Sequence, residues 1–267
     1  MNPDRLSAKY WSSESERLYL QHDYPEALNA IQRAIEIDPQ FPTDWITMGV
    51  ILRELKQYIE ALEAFDRAIE LDQITPYIWN ERGRKLYRAN RFAEAVSAFE
   101  SALAIEQDDA SVWCNLGVAL YMQGQFDRSN NAFRRALSHD PGDALAQNGL
   151  GLTLASLGEL GSALEACEQA IALDESIGDL WSNKGTVLFQ LGQLEAALLA
   201  YKHALALDTK DAHTWFNYAC VLTKLHRLGE ALDACEQSLA IDPTQAKAWQ
   251  QLDTILRLTQ LEANGSA

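Results

Sequence analysis

Seven tryptophans, at positions 11, 45, 79, 113, 181, 215 and 249, lie on one ruler of 34 residues. The only double-length gap, from 113 to 181, passes over Gln147 at the missing mark. A unit of 34 residues cannot bury its own apolar faces, so a chain of 267 residues with this period has to stack neighbouring units on one another.

The positions around each mark give the unit its internal structure. Four residues after the mark stand Gly49, Gly83, Gly117, Gly151, Gly185 and Ala219. Offsets of three and seven are mostly bulky and apolar, as in Leu116 and Leu120, which is the stripe of one α-helix. A small residue within that stripe lets a second helix come close. Sixteen residues after the mark, Ala27, Ala61, Ala95, Ser129, Ala163, Ala197 and Ala231 open that second helix's stripe. Four residues further on come Ile31, Phe65, Phe99, Phe133, Cys167, Tyr201 and Cys235. Ala34, Ala68, Ala102, Ala136, Ala170, Ala204 and Ser238 follow three residues later. Small, large, small along one face predicts a tight antiparallel pair, with the Trp filling its seam. Each unit ends in an acid, Asp38, Asp72, Glu106, Asp140, Asp174, Asp208 or Asp242, and Pro39, Pro141 and Pro243 follow three of these to stop the helix.

The pattern W-x2-L-G-x2-L, followed by Ala, Phe and Ala and closing in D-P, resembles the tetratricopeptide repeat (TPR) family. The resemblance implies an all-α, right-handed α-solenoid of stacked antiparallel helix pairs. It places seven units at 8–41, 42–75, 76–109, 110–143, 144–177, 178–211 and 212–245. A capping helix over about 246–260 and a frayed tail at 261–267 complete a single domain, 1–267. Asp253 stands where inner units carry Gly or Ala, as suits a cap. Glu14 and Ser15, three and four residues after the first mark, suit an exposed end.

A formal charge of −16 argues against binding to nucleic-acid phosphates or to anionic membrane surfaces. The start, MNPDRLSAKYW, has no apolar run for a signal peptide, and the most apolar window carries Glu159 and Glu165, so neither secretion nor membrane insertion is expected. Cys114, Cys167, Cys220 and Cys235 show no CxxC spacing and suit reduced thiols in a cytoplasm.

Function is expected on the stripe opposite the packed one on each first helix, which in the family lines a concave groove. Its apolar members include Ile46, Val50, Tyr87, Cys114, Val118, Tyr121, Leu145, Leu152, Phe189, Phe216 and Cys220. Exposed, such side chains form a binding surface; alternatively, the superhelix curls until they touch. Asn80, Asn115, Asn148, Asn183 and Asn217 form a row of amides, each able to donate to and accept from a peptide backbone. Bridging of neighbouring helices is the competing role. Lys9, Arg53, Arg84, Arg88, Lys224, Lys247 and Arg257 outnumber Glu16, Glu54, Glu81 and Asp179 on this stripe. Arg53, Arg84 and Arg88 form its densest positive spot. They suit an acidic segment of a partner, or else they pair with Glu54 and Glu81.

The chaperone-tail clamp found in some family members is not expected, because its first lysine position carries Ser12, Ile46, Asn80, Cys114, Asn148, Ser182 and Phe216. The unit with Gln147 has glycines at 149, 151, 158 and 161, which predicts a locally wide groove and a soft joint. His22, His139, His203, His213 and His226 read as scattered over unrelated offsets, with His139 in a partly buried core slot, and no nucleophile, metal or phosphate motif accompanies them. The expectation is a non-catalytic, cofactor-free scaffold or adaptor, co-chaperone-like or an assembly factor, that holds an extended peptide or partner helix. The alternatives are a self-associating array, or a regulatory subunit that docks through its acidic convex face.

Overall fold

The computed structural model describes residues 3–71 and 75–265, so Asp72 lies outside the described residues. Among them are fifteen helices and no strand. They fall into two compact units, 1–139 and 140–267, a division that the unbroken 34-residue register does not announce.

The first unit contains α1 (Pro3–Leu20), α2 (Tyr24–Ile37), α3 (Pro42–Glu54) and α4 (Tyr58–Glu70). It continues with α5 (Pro76–Arg88), α6 (Phe92–Ile105), α7 (Ala110–Met122) and α8 (Phe126–His139). The second contains α9 (Ala144–Ser156), α10 (Leu160–Leu173), α11 (Gly178–Gln190) and α12 (Leu194–Leu207). It ends with α13 (Ala212–Lys224), α14 (Leu228–Ile241) and α15 (Ala246–Gly265). Helix α15 therefore carries the segment expected as a frayed tail in helical form to 265.

Within each unit, helices pair in sequence, and each second helix packs on the first helix of the next pair. First helices also touch one another, as α5 touches α7 and α11 touches α13, whereas no two second helices come as close among the described residues. First helices thus form the inner layer of each stack.

Glycine sets the closeness of the pair. A methyl group on Gly83 would stand 2.6 Å from the Phe99 ring, and one on Gly49 would stand 2.7 Å from Phe65. Ser15 occupies that slot in the first pair. It is fully buried rather than exposed as expected, with its Oγ donating to the Ala27 carbonyl at 2.8 Å.

The turn inside each pair depends on one left-handed residue. His22, Lys56, Asn90, Gly124, Gly158, Gly192 and His226, all at one repeat position, have φ between +56° and +83°. His22 and His226 therefore share an offset instead of being scattered, and Gly158 serves a turn instead of softening a helix. His139 is exposed rather than partly buried, like Ile105, Leu173, Leu207 and Ile241 in its column. Since side chains resist the left-handed conformation, Lys56→Gly is expected to stabilise the protein by up to about 1 kcal/mol. A higher urea midpoint at unchanged slope checks this; a lower one refutes it.

The turns between pairs use the closing acids. Asp38, Asp140, Asp174, Asp208 and Asp242 each accept from the backbone N–H two residues on, at 2.8–3.2 Å. The tryptophans hold the same turns. Trp45, Trp113, Trp181, Trp215 and Trp249 donate Nε1–H to the carbonyl six residues earlier, at 2.7–3.0 Å. Of these rings, Trp45, Trp113 and Trp215 are half-buried and pack against the core of their units, Trp181 is half-buried, and Trp249 is exposed. At the skipped mark, Gln147 is buried and its Nε2 donates to Gln169 Oε1.

Candidate functional site

The first-helix stripe divides between the two units. In the first, Asn115 Nδ2 donates to Asn80 Oδ1 at 3.1 Å; in the second, Asn183 Nδ2 donates to Asn148 Oδ1 at 3.1 Å. Both pairs bridge adjacent first helices, 35 residues apart. Each bridge uses one donor and one acceptor, so the half-buried amides keep capacity for another partner. Asn217 is not bridged in this way. The position that would supply its partner carries Ser182, whose hydroxyl lies 2.6 Å from Thr214 Oγ1.

The aromatic members are clasps as much as surface. Tyr87 packs on Phe92 with ring centroids 5.4 Å apart, and Tyr121 packs on Phe126 at 5.5 Å. The same two repeat positions hold Tyr19 and Tyr24, also 5.5 Å apart. Each clasp spans the turn inside a pair. Phe189 and Phe216 pack against the core of the second unit, and Val118 is half-buried.

The cations sort into two kinds. Glu81, only 2% exposed, receives Arg53 Nη1 at 2.8 Å and Arg84 Nη1 at 2.6 Å. Arg53 also reaches Glu54 at 2.7 Å. The expected positive spot is therefore largely neutralised from within. By contrast, Arg88 is exposed, with its guanidinium 5.3 Å over the Tyr58 ring, and Lys224 is exposed.

Beneath this cluster lies a residue that the sequence reading missed. Lys85 is fully buried, where other repeats place Ile51, Ala119, Thr153, Val187, Val221 and Ile255, all fully buried too. Its Nζ is 3.4 Å from Glu81 Oε2, in ion-pair range but without hydrogen-bond alignment. Burial lowers the Lys85 pKa to about 8, with Glu81 opposing the shift and the nearby arginines adding to it. Burial would raise the Glu81 pKa, but Lys85, Arg84 and Arg53 outweigh it and hold the carboxyl below its ordinary range. Arg17 holds this position, exposed, in the first repeat, and Thr153 is the other polar residue in the column; a charge within the inner repeats was the available signal.

Burial raises the pKa of Cys167 and Cys220 to about 11, so both are neutral thiols near pH 7. Among the described residues, no cluster of His, Cys, Asp and Glu could hold a metal ion, and no helix is long and apolar enough to cross a membrane.

No curated protein sequence matches the chain. Tetratricopeptide repeat models match residues 42–73, 114–176, 178–211 and 212–245, and a TPR repeat model matches 83–124. One similar solved structure is a tetratricopeptide repeat protein from Parabacteroides merdae ATCC 43184. The TM-score is 0.78 at 12% identity, over 94% of this chain and 99% of that one. Another is a chain of the APC/C hetero-tetramer Cut9–Hcn1, with a TM-score of 0.73 at 19% identity. That match covers 96% of this chain but 57% of the other, so this chain spans a little over half its length. PilW, a widely conserved type IV pilus biogenesis factor, matches with a TM-score of 0.66 at 25% identity, over 74% of this chain and 92% of PilW.

Proposed function

We propose that this chain, which belongs to the tetratricopeptide repeat family, is a non-catalytic scaffold that holds an extended peptide or partner helix on the face of its first helices. The family and its structural neighbours support a protein-interaction role in general. Seven repeats from 8–41 to 212–245, acting as one array, are the frame of this reading. The observation that carries it is the row of asparagine amides, which bridge helices with part of their hydrogen-bonding capacity and keep the rest. A side-chain amide recognises backbone whatever the peptide's sequence. Arg88 and Lys224, exposed on the same stripe, favour a partner with carboxylates near the amide row. The biological setting of this reading is an assembly factor or adaptor in a cytoplasm.

Capture from lysate of the native source tests the reading. One bait is the wild type, and the other carries Asn217→Ala, Arg88→Glu and Lys224→Glu, three changes at half-buried or exposed positions that leave Glu81 and both asparagine bridges intact. A protein retained only by the wild type is expected. Equal retention by two folded baits would remove this face from the function. A self-associating array is the second reading, and a monomeric mass of 29.8 kDa by light scattering would sink it.

A further inference from the structure

Helix α15 keeps the packing face of a first helix, but among the described residues no second helix covers it. Seven residues after the mark, Leu52, Leu86, Leu120, Leu154, Leu188 and Leu222 are all buried, whereas Leu256 is 44% exposed. Trp249, at the mark itself, is exposed, while the tryptophans of the other repeats are half-buried. The opposite side of α15 packs on α14 and touches α13, with Ala248 and Ile255 fully buried there. The helix is also longer than its counterparts. Each of α3, α5, α7, α9, α11 and α13 stops after 13 residues, whereas α15 runs for 20 and leaves Leu261 66% exposed. A terminal unit that only caps a repeat array turns a polar face outwards. This one turns out Trp249, Leu256 and Leu261, and apolar surface of that kind marks a contact.

Two charges on the same side of α15 say what covers it. Asp253 stands in the slot that holds glycine in five other repeats, so a covering helix has to bring a cation there instead of an aromatic ring. Arg257, one turn along, asks for an anion. Both are exposed, and they pair with each other at 2.8 Å. Helix α15 is itself a helix of this description. Laid antiparallel on a second copy, about a two-fold axis level with Ile255, each Asp253 lies opposite the partner's Arg257. Each Trp249 then lies level with the partner's Leu261, because both couples are evenly spaced about residue 255.

We propose that α15 joins two copies of this chain in an antiparallel dimer, each helix standing in for the second helix that the other lacks. An isologous contact of this kind is complete at two copies, so it does not grow into an array. Trp249 and Leu261 lie about 18 Å apart along the helix axis, which makes a small interface with a dissociation constant of about 10–100 µM. Arg88, Asn217 and Lys224, which carry the proposed peptide contact, lie on other helices, so either contact can fail without the other.

Sedimentation equilibrium of the full chain reads the mass, at about 0.15 M salt, where repulsion between two copies is screened beyond about 8 Å. Over about 1–300 µM, a range that brackets such an affinity, the mass is expected to rise from 29.8 kDa towards twice that value and to stop there. Leu256→Glu, at an exposed position, should weaken the dimer about tenfold or more. Asp253→Arg and Arg257→Asp should each do the same, since each sets like charges against one another in both halves of the contact. An equimolar mixture of these two variants should dimerise again, because every facing pair is then an arginine with an aspartate. Circular dichroism confirms that each variant stays folded. A mass of 29.8 kDa throughout, growth beyond twice that mass, a dimer untouched by Leu256→Glu, or no recovery in the mixture would each overturn the proposal.

Discussion

Replacing Glu81 by alanine is expected to cost about 3–5 kcal/mol, the loss associated with stripping one partner from a buried charge cluster. The carboxylate receives Arg53, Arg84 and Lys85 at 2.8, 2.6 and 3.4 Å. Arg53 keeps Glu54 after the substitution, but Lys85 keeps nothing. Most of the loss comes from that fully buried ammonium left without a counter-charge, because Arg84 is exposed enough to turn to water. Glu81→Gln should fall between wild type and Glu81→Ala, since it restores an acceptor but no charge. A Glu81→Ala protein within about 1 kcal/mol of wild type would mean that the cluster is solvated rather than buried.

The same reasoning gives Lys85→Met the opposite sign. Lys85 has a folded-state pKa of about 8 against an ordinary 10.5. Between those values the unfolded chain binds the proton that the folded chain has released, so this residue makes stability rise with pH across that window. At pH 7 the lysine is charged in both states, and the folded state carries the whole penalty, about 3 kcal/mol. Methionine fits a buried position that other inner repeats fill with Ile, Val, Ala or Thr, and Glu81 retains two arginines without Lys85. The variant should therefore be more stable at pH 7, with the gain shrinking as pH rises towards the ordinary lysine value. Cys167 and Cys220, held near 11 by burial, titrate with the opposite sign in part of this range. The difference between variant and wild type cancels them, and a difference independent of pH would refute the assignment.

The helix pairs were legible because the repeat writes each structural position several times over. First helices start at 42, 76, 110, 144, 178, 212 and 246, on the spacing of the tryptophans themselves. What the register concealed lies in departures from it. Glu81 pairs with Arg84 and Lys85 on its own helix, and Arg53, from the preceding pair, completes the cluster; the arginine pairing was one of the alternatives in the sequence, but the burial of Lys85 was not legible there. The asparagines were legible as a row, with bridging of neighbouring helices as the competing role, but which of them bridge was not legible. Whether an amide meets its neighbour depends on the residue one step earlier in the preceding repeat, which is Asn for Asn115 and Asn183 and Ser for Asn217. The tryptophan's hydrogen bond to the turn was missed because a seam-filling role already explained an apolar ring. The division at 139 has no insertion or change in composition to announce it.

Phe99→Ala is the other large loss expected, about 3–5 kcal/mol from a ring that is 1% exposed. The partner position makes the test sharper. A methyl group on Gly83 would sit 2.6 Å from that ring, and a ring enclosed on all sides has nowhere to move. Gly83→Ala should therefore lose about 1–3 kcal/mol to overpacking, partly offset by alanine's helix preference of about 1 kcal/mol. The chain already contains the permissive combination, since its last full repeat carries Ala219 with Cys235, both fully buried. At Gly151 the closest atom to such a methyl group is the Cys167 sulfur, at 3.0 Å. In a Phe99→Cys background, Gly83→Ala should accordingly reverse sign and stabilise, with the coupling read from a double-mutant cycle of urea unfolding. Equal costs in both backgrounds would show that something other than the ring excludes the methyl. A reversal would show that glycine recurs at this position because the second helix presents an aromatic ring there, and that a smaller residue opposite the slot frees it for a side chain.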